Sequence, residues 1–428
     1  ISNFLKSKDV NFVLTGSAGT GKTTIMKKAL KSTALKVYGA TISHQAKTIL
    51  GLQLGDDYVH TIASLLGIKL NEETGKFTVE KTIKAKIDYM KSGVLVIDET
   101  SMISSELMDL ILDKRMNGLK IIWVGDPNQL PPIGQENGIS PTFNLHYDND
   151  KNKSHLSEIM RFGDRISLIA TEISKGINDY KNVNLIRDDN YDKVNKEGVI
   201  FLSDESELLK MASLDFTKDR SNTKIITYNN HKNRHSQSVL NLNSKIRELL
   251  YPNNDSPIMI NEIFTMYAPF YDKEISEKVL AQNSESFVVQ TYNKTTKEVD
   301  IRVNSYKMGT RKFSAIYKDV YECRCIFNYG KVLDLELNFD PQYKIDLETI
   351  AKTSDWQLFY TLQKEFPQIE YGYAITTHRS QGSGYDNIYV FEDNIVSSPQ
   401  SNENIYRTLY TAVTRAKRKL IIHSSNNV

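Results

Sequence analysis

The stretch that most constrains this chain is GSAGTGKTT, residues 16–24, set between the apolar run NFVLT and TTIMKKALK, whose apolar residues recur at helical spacing. The spacing G-x-x-x-x-G-K-T puts Gly16, Gly19, Gly21, Lys22 and Thr23 where a chain leaving a strand turns into a helix. Glycines let backbone N–H groups converge on a phosphate, and the helix N-terminus adds its positive dipole end. The pattern predicts that Gly16, Ser17, Ala18, Gly19, Thr20, Gly21, Lys22, Thr23 and Thr24 hold a nucleotide. Lys22 then reaches the β- and γ-phosphates and the Thr23 hydroxyl binds Mg²⁺. The bland alternative is a glycine-rich turn before a surface helix.

Such a loop needs an acid at the end of a neighbouring strand, and GVLVIDETSM supplies one. Its apolar residues 94–97 read as a buried parallel strand, with Asp98 at the carboxyl end facing the phosphates. Asp98 is the expected Mg²⁺ ligand, and Glu99 the residue that orients and deprotonates the attacking water. A further apolar run, IIWVG, leads into DPNQLPP, where Asp126 and Gln129 follow the strand. The Gln129 amide is placed to report whether a γ-phosphate is present. Taken singly, the acid pair reads as a solvated strand end and DPNQLPP as a proline-rich turn. Together with the loop they point to a motor.

In this order GSAGTGKTT, VIDETSM and VGDPNQLPPIG resemble motifs I, II and III of superfamily 1 helicases of the RecD-like, or 1B, branch, most of all its Dda-like phage members. The resemblance runs through nearly the whole chain. ATISHQAKTIL resembles motif Ia, which implies that Ser43 and His44 face single-stranded DNA. VHTIASLLG resembles motif Ib, with Thr61 and Ser64 on the DNA side. LSEIMRF resembles motif IV, centred on Arg161. ITYNNHKNRHSQSVLN resembles a segment touching the DNA backbone through Thr227 and Asn229. YAITTHRSQGSGYDNIYV resembles motif V, with Thr376, His378, Gln381 and Gly382, and LYTAVTRAKRKLII resembles motif VI, centred on Arg415. The resemblance implies that Thr376 and His378 meet DNA and that Gly382 lines the nucleotide. It makes Arg161 and Arg415 catalytic arginines that stabilise charge on the γ-phosphoryl group when a cleft closes, an effect of ~10³-fold or more. By itself Arg415 belongs to a solvated basic run, and His378 to an ordinary loop.

The implied fold is α/β: two RecA-like P-loop domains, a small β-hairpin insertion in the first and an SH3-like β-barrel insertion in the second. The implied divisions are 1–66 with 92–150 for the first RecA-like domain and 67–91 for the hairpin or wedge. They continue as 151–261 with 365–428 for the second RecA-like domain and 262–364 for the SH3-like one. GIKLNEETGKFTVEK reads as the hairpin. Phe77 on it either stacks on the last base pair at a wedge or packs the hairpin against its own domain. ESFVVQTYNKTTKEVDIRVNSYKM and KVLDLELNF read as strands joined by Asn-Lys and Gly turns.

Composition narrows little else. With 54 Lys and Arg against 52 Asp and Glu, any basic surface is local. The only cysteines, Cys323 and Cys325, alternate on a strand-like stretch and cannot complete a four-ligand zinc site without nearby histidines. No apolar run is long enough to span a membrane and no signal peptide is visible, so no membrane partner is expected. The chain begins at Ile1, and none of the residues before Gly16 is the adenine-recognising glutamine of the family; both are expected further upstream. Abundant Lys, Asn, Ile and Tyr suit an AT-rich genome, hence a phage-encoded or bacterial cytoplasmic protein.

The expectation is an ATP-dependent, Mg²⁺-using DNA helicase moving 5′ to 3′ on single-stranded DNA. It would act at single-strand/double-strand junctions, as a monomer, with replication or recombination proteins as possible partners. Polarity comes from the resemblance alone. An RNA-directed ATPase of the same superfamily, or a nucleotide-dependent clamp that does not unwind, are the alternatives.

Overall fold

The computed structural model describes residues 1–55, 58–70, 77–79, 85–115, 118–132, 138–145, 150–158, 164–179, 189–192, 197–230, 236–273, 279–305 and 309–425. The chain divides into two compact units. The first comprises residues 1–208, 225–238 and 376–428, and the second residues 209–224 and 239–375.

The first part of unit 1 alternates strand and helix: α1 (Ser2–Lys6), β1 (Asn11–Gly16), α2 (Lys22–Leu30), β2 (Val37–Thr41), α3 (His44–Leu54), β3 (Val59–Thr61) and α4 (Ile62–Leu66). A short antiparallel hairpin follows, β4 (Ile68–Leu70) with β5 (Phe77–Val79), pairing Leu70 with Phe77. Then come β6 (Gly93–Asp98), α5 (Ser105–Lys114), β7 (Leu119–Gly125) and β8 (Lys153–Leu156). The sheet order is β3-β2-β6-β7-β1-β8, and every pairing in it is parallel. Parallel strands covered on both faces must be apolar throughout, which is why β6 and β7 read GVLVID and LKIIWVG. One face packs Ile97, Ile121 and Trp123 with Leu65, Leu66 and Ile111; the other packs Val94, Val96 and Val124 with Met26, Leu30 and Leu50. The carboxyl ends of β1, β2, β3, β6 and β7 fall on one edge, where Gly16, Thr41, Thr61, Asp98 and Gly125 stand. Ligands of open parallel sheets bind outside this edge.

The chain continues through α6 (Asp164–Asn178), β9 (Asn190–Asp192), β10 (Glu197–Leu202), α7 (Glu205–Lys218) and β11 (Thr223–Thr227). Unit 2 then carries α8 (Val239–Leu250), β12 (Ile263–Met266), β13 (Phe270–Tyr271), β14 (Val279–Ala281), β15 (Ser286–Ser305), β16 (Gly309–Phe327), β17 (Val332–Asn338), α9 (Pro341–Lys352), α10 (Trp356–Gln363) and β18 (Ile369–Tyr371). The chain closes with β19 (Ala374–Thr376), α11 (Thr377–Ser380), β20 (Tyr385–Phe391), α12 (Glu392–Val396), α13 (Asn402–Val413) and β21 (Ala416–His423). The second sheet orders its strands β19-β11-β20-β21-β10-β9, with β20, β21 and β10 parallel and β9 antiparallel at the edge. No described helix is long and apolar enough to cross a membrane.

One turn expected in this region is absent. The Asn-Lys turn does not form: Asn293 and Lys294 lie inside the twenty-residue β15, opposite Glu322 and Tyr321 of β16. Lys294 is instead ion-paired with Asp319. The ladder runs from Phe287 opposite Phe327 to Ser305 opposite Gly309, and its register shifts between Val289 and Thr291 and again between Thr295 and Lys297. Such shifts bend and twist a ribbon without ending it. Two apolar clusters use the two halves. Near the base, Phe264, Phe287, Cys323, Cys325 and Leu337 pack together. Farther out, Val299, Ile301, Val303 and Tyr317 pack on Tyr343, Ile350, Leu358 and Leu362 of α9 and α10. Both cysteines are buried thiols, Cys323 pushed up to about 12 by burial and Cys325 raised further, so they are strand residues and nothing more reactive. The strand order is β17-β16-β15-β12-β18, and no pairing joins β17 to β18 among the described residues.

Candidate nucleotide site

The loop after β1 is built for close approach. A side chain at Gly16 would begin 2.7 Å from both the Leu156 carbonyl and Thr20 Oγ1. Gly21, the residue before α2, sits at φ +77°, a conformation that costs an L-residue about 1–2 kcal/mol. The Lys22 ammonium reaches back over the loop and donates to the carbonyls of Gly16 (2.7 Å) and Ser17 (3.0 Å). Thr20 is tied down through its hydroxyl to Ser17 O at 2.8 Å. Thr23 stands one residue into α2, partly exposed.

Asp98 ends β6 opposite Thr41 of β2. Its carboxyl is pushed up to about 7, chiefly by burial and then by Glu99 beside it, while Lys22 pulls the other way. Its Oδ1 accepts the Glu99 N–H at 2.9 Å. Glu99 itself has φ +57° in the left-handed region. A residue that could be glycine but is a glutamate here keeps strained backbone for its carboxylate. A partly desolvated carboxylate with a threonine hydroxyl is a hard oxygen donor set that fits Mg²⁺. Among the described residues no group of three or more His, Cys, Asp or Glu could hold a metal alone.

Residues 377–415 close this region from the second sheet. Gln381, buried after α11, donates through Nε2 to Ser101 Oγ (3.1 Å) and Gln129 Oε1 (3.4 Å). Tyr410 on α13 accepts the Ala18 N–H at 3.0 Å and donates its hydroxyl to Asp126 Oδ2 at 2.7 Å. The buried Arg407 donates to the Pro127 carbonyl and to Gln129 O (3.4 Å), and pairs with Glu403 at 2.9 Å. Arg415 is buried too. Its guanidinium donates to Thr411 O (2.9 Å), Ser383 O (3.1 Å) and Thr414 Oγ1 (3.1 Å), which sets it against the turn that follows Gln381 and Gly382.

Three of the residues expected to face DNA share a local device. Ser43, Thr61 and Thr376 each stand immediately before a helix and accept its third amide: Ala46 N (3.1 Å), Ser64 N (3.2 Å) and Arg379 N (3.3 Å). These caps use the oxygen as acceptor and leave the hydroxyl hydrogen to donate. Gly382 lies beside the first of them; a side chain there would begin 3.6 Å from Ser43 Oγ. His44 opens α3 with its imidazole pushed down to about 4, by burial and then by Lys47, so it is neutral at pH 7. Thr227 and Asn229 are held by the buried Asn394, whose Oδ1 is 2.7 Å from Thr227 Oγ1 and accepts the N–H groups of Tyr228 (2.9 Å) and Asn229 (3.0 Å). His378 lies beside Tyr228, ring centroids 6.1 Å apart. Arg161 and the side chain of Phe77 lie outside the described residues. Sequence reasoning missed Tyr410, Arg407 and Asn394. Tyr410 and Arg407 stand five and eight residues before the Arg415 it did single out, on the same buried helix face.

The fold and site together define a P-loop protein of the RecA-like helicase class. Residues 1–194 match the sequence profile of the AAA domain, and residues 371–423 that of the UvrD-like helicase C-terminal domain. The chain is 26% identical to the uncharacterized protein R530 of Acanthamoeba polyphaga mimivirus, covering 96% of this chain and 94% of that one. It is 25% identical to the ATP-dependent DNA helicase dda of Enterobacteria phage T4, again over 96% and 94%. A solved structure of two coordinating Pif1 helicases at forked double-stranded DNA superposes with a TM-score of 0.51, at 16% identity, over 99% of this chain and 90% of that one. Its homologues thus include Dda, RecD and Pif1 helicases, members of the 1B branch of superfamily 1.

Proposed function

We propose that this chain is an ATP-dependent DNA helicase that moves 5′ to 3′ along single-stranded DNA and opens duplex at junctions. The observation that carries the reading is the Gln381–Tyr410–Arg407 set. Three side chains from residues 377–415 hold the loops at 16–18, 101 and 126–129, which are the places where a nucleotide's phosphates would be sensed. Hydrolysis that changes those loops then changes what the second sheet is bonded to, and two DNA-holding halves become a stepping device.

In this reading Lys22 and the loop amides bind the phosphates, Thr23 and Asp98 hold Mg²⁺, and Glu99 positions the water and takes its proton. Mg²⁺ at that position supplies charge neutralisation across the phosphate oxygens. Gln129 reads the γ-phosphate, Gly382 borders the nucleotide, and Arg161 and Arg415 are the stabilising arginines. Ser43, Thr61, Ser64, Thr227, Asn229, Thr376 and His378 bear on the DNA backbone, and Phe77 on the junction. Hydroxyls and neutral groups predominate in that set, as suits contact with phosphates without reading bases. The antiparallel strands of residues 262–364 serve as the SH3-like insertion, 67–91 as the wedge, and the remainder as two RecA-like domains acting in one monomer.

The test is strand separation on matched duplexes carrying a 5′ or a 3′ single-stranded tail, with ATP, and with Lys22→Ala as control. Opening of the 5′-tailed duplex alone is expected. Opening of the 3′-tailed one alone overturns the polarity. Stimulation of ATP turnover by RNA and not DNA, with neither duplex opened, overturns the substrate.

A further inference from the structure

Tyr410 reaches from α13 into the loop after β1. Its oxygen accepts the Ala18 N–H at 3.0 Å, its hydroxyl hydrogen goes to Asp126 Oδ2 at 2.7 Å, and its ring is 1% exposed. Burial first, and Asp126 second, hold the phenol far above its usual range, so the proton stays on oxygen and the direction of both bonds is fixed. Each backbone amide carries one hydrogen. The amides of a loop with this sequence are also the donors that converge on a nucleotide's phosphates. The Tyr410 oxygen and a phosphate oxygen therefore compete for the Ala18 N–H.

We propose that Tyr410 is a latch displaced by nucleotide: it holds the Ser17–Ala18 segment to Asp126, and a phosphate entering the loop takes over the Ala18 amide and releases the phenol. Loop occupancy is thereby passed to α13, whose Arg407 grips the Pro127 and Gln129 carbonyls. The proposal rests on reading residues 16–24 as the nucleotide loop. Tyr410 is a positioning residue in it: no bond is made or broken at its oxygen.

The test is equilibrium titration of the full chain with a fluorescent, non-hydrolysable ATP analogue, comparing the native protein with Tyr410→Phe. Phenylalanine keeps the ring and removes the competing oxygen. The expected result is a Kd about three- to tenfold lower, the value of one neutral hydrogen bond no longer broken on binding. DNA-stimulated kcat should fall while KM falls with it, a split that a loss of packing does not give. A Kd unchanged or raised overturns the latch. Should Tyr410→Phe not fold, 3-fluorotyrosine at position 410 gives a second readout. Its fluorine resonance is expected to move when the same analogue saturates the chain, and an unmoved resonance overturns the proposal. If the native chain binds no nucleotide at all, the reading of the loop falls and the latch falls with it. Binding by the native chain with no gain in Tyr410→Phe removes the latch alone.

Discussion

Gln381 Nε2 donates to Ser101 Oγ at 3.1 Å, joining the turn after α11 to the turn after Asp98 and Glu99 across 280 residues of sequence. The same nitrogen lies 3.4 Å from Gln129 Oε1. One amide thus touches the segment expected to activate water and the residue expected to sense the γ-phosphate. It stands immediately after the helix that Thr376, one of the three capping hydroxyls, caps.

If that amide carries the coupling, Gln381→Ala will leave nucleotide affinity within about twofold and lower DNA-stimulated ATP turnover about tenfold, equivalent to ~1.4 kcal/mol of coupling. Steady-state ATPase with and without single-stranded DNA measures this. Equal losses in basal and stimulated rates would mean that Gln381 only supports the fold.

Glu99 holds a left-handed φ of +57°, which glycine adopts freely. Glu99→Gly should therefore raise stability by up to about 1 kcal/mol while abolishing ATP turnover. Chemical denaturation and a turnover assay on the same preparation decide it. A destabilised variant would show that the glutamate side chain contributes more to the fold than its backbone costs.

Asn394 gathers the Thr227 hydroxyl and the Tyr228 and Asn229 amides on one buried oxygen. Asn394→Leu removes the side-chain acceptor of the Tyr228 and Asn229 amides, a cost of about 1–3 kcal/mol, while the Thr227 hydroxyl keeps the Gln237 carbonyl at 2.8 Å. A lowered Tm is expected, together with weaker single-stranded DNA binding that returns in Asn394→Asp, which keeps an acceptor. Unaltered DNA affinity in Asn394→Leu would detach the 227–229 turn from the DNA path.

Lys224 is fully buried on β11, donates to the Gly372 carbonyl, and is pushed down to about 7 by desolvation. Its folded value lies below its unfolded value of about 10.5. The folded state therefore binds fewer protons there, and stability falls as pH drops from about 10.5 to about 7, then levels off. Lys224→Met, of similar length and uncharged, should flatten that slope and gain stability most at pH 7. Denaturant midpoints at pH 7 and pH 9.5 test the sign; an unchanged slope removes Lys224 as its source.

The elements legible in the sequence were those whose chemistry demands a local pattern. A phosphate loop needs its glycines at fixed positions, and a buried parallel strand needs an unbroken apolar run, so β1, α2, β6 and β7 could be read directly. Tyr410 and Arg407 could not, because what ties them to the loops at 18 and 127–129 is largely backbone, the Ala18 N–H and the Pro127 and Gln129 carbonyls, and a backbone partner leaves no mark in the residue types. The Asn-Lys pair in β15 misled for a related reason. Turn chemistry is a tendency of dipeptides, and here the opposing strand supplied Glu322 and Tyr321 as partners and Asp319 as counter-charge. Asn394 was hidden because a buried amide that organises a turn looks, in sequence, like any polar residue near a helix.

The position of β21 has a consequence for how the molecule is made. This strand, Ala416–His423, lies between β20 and β10 and is a central strand of its sheet. A ribosome releases it after both neighbours. Until then β10 and β20 lack the strand that pairs with both. A domain that usually folds as it emerges must here wait for its keystone. The phosphate loop lies in the first sheet and can be shaped before β21 is synthesised, whereas the contacts that would tie nucleotide to motion need residues 377–415 as well.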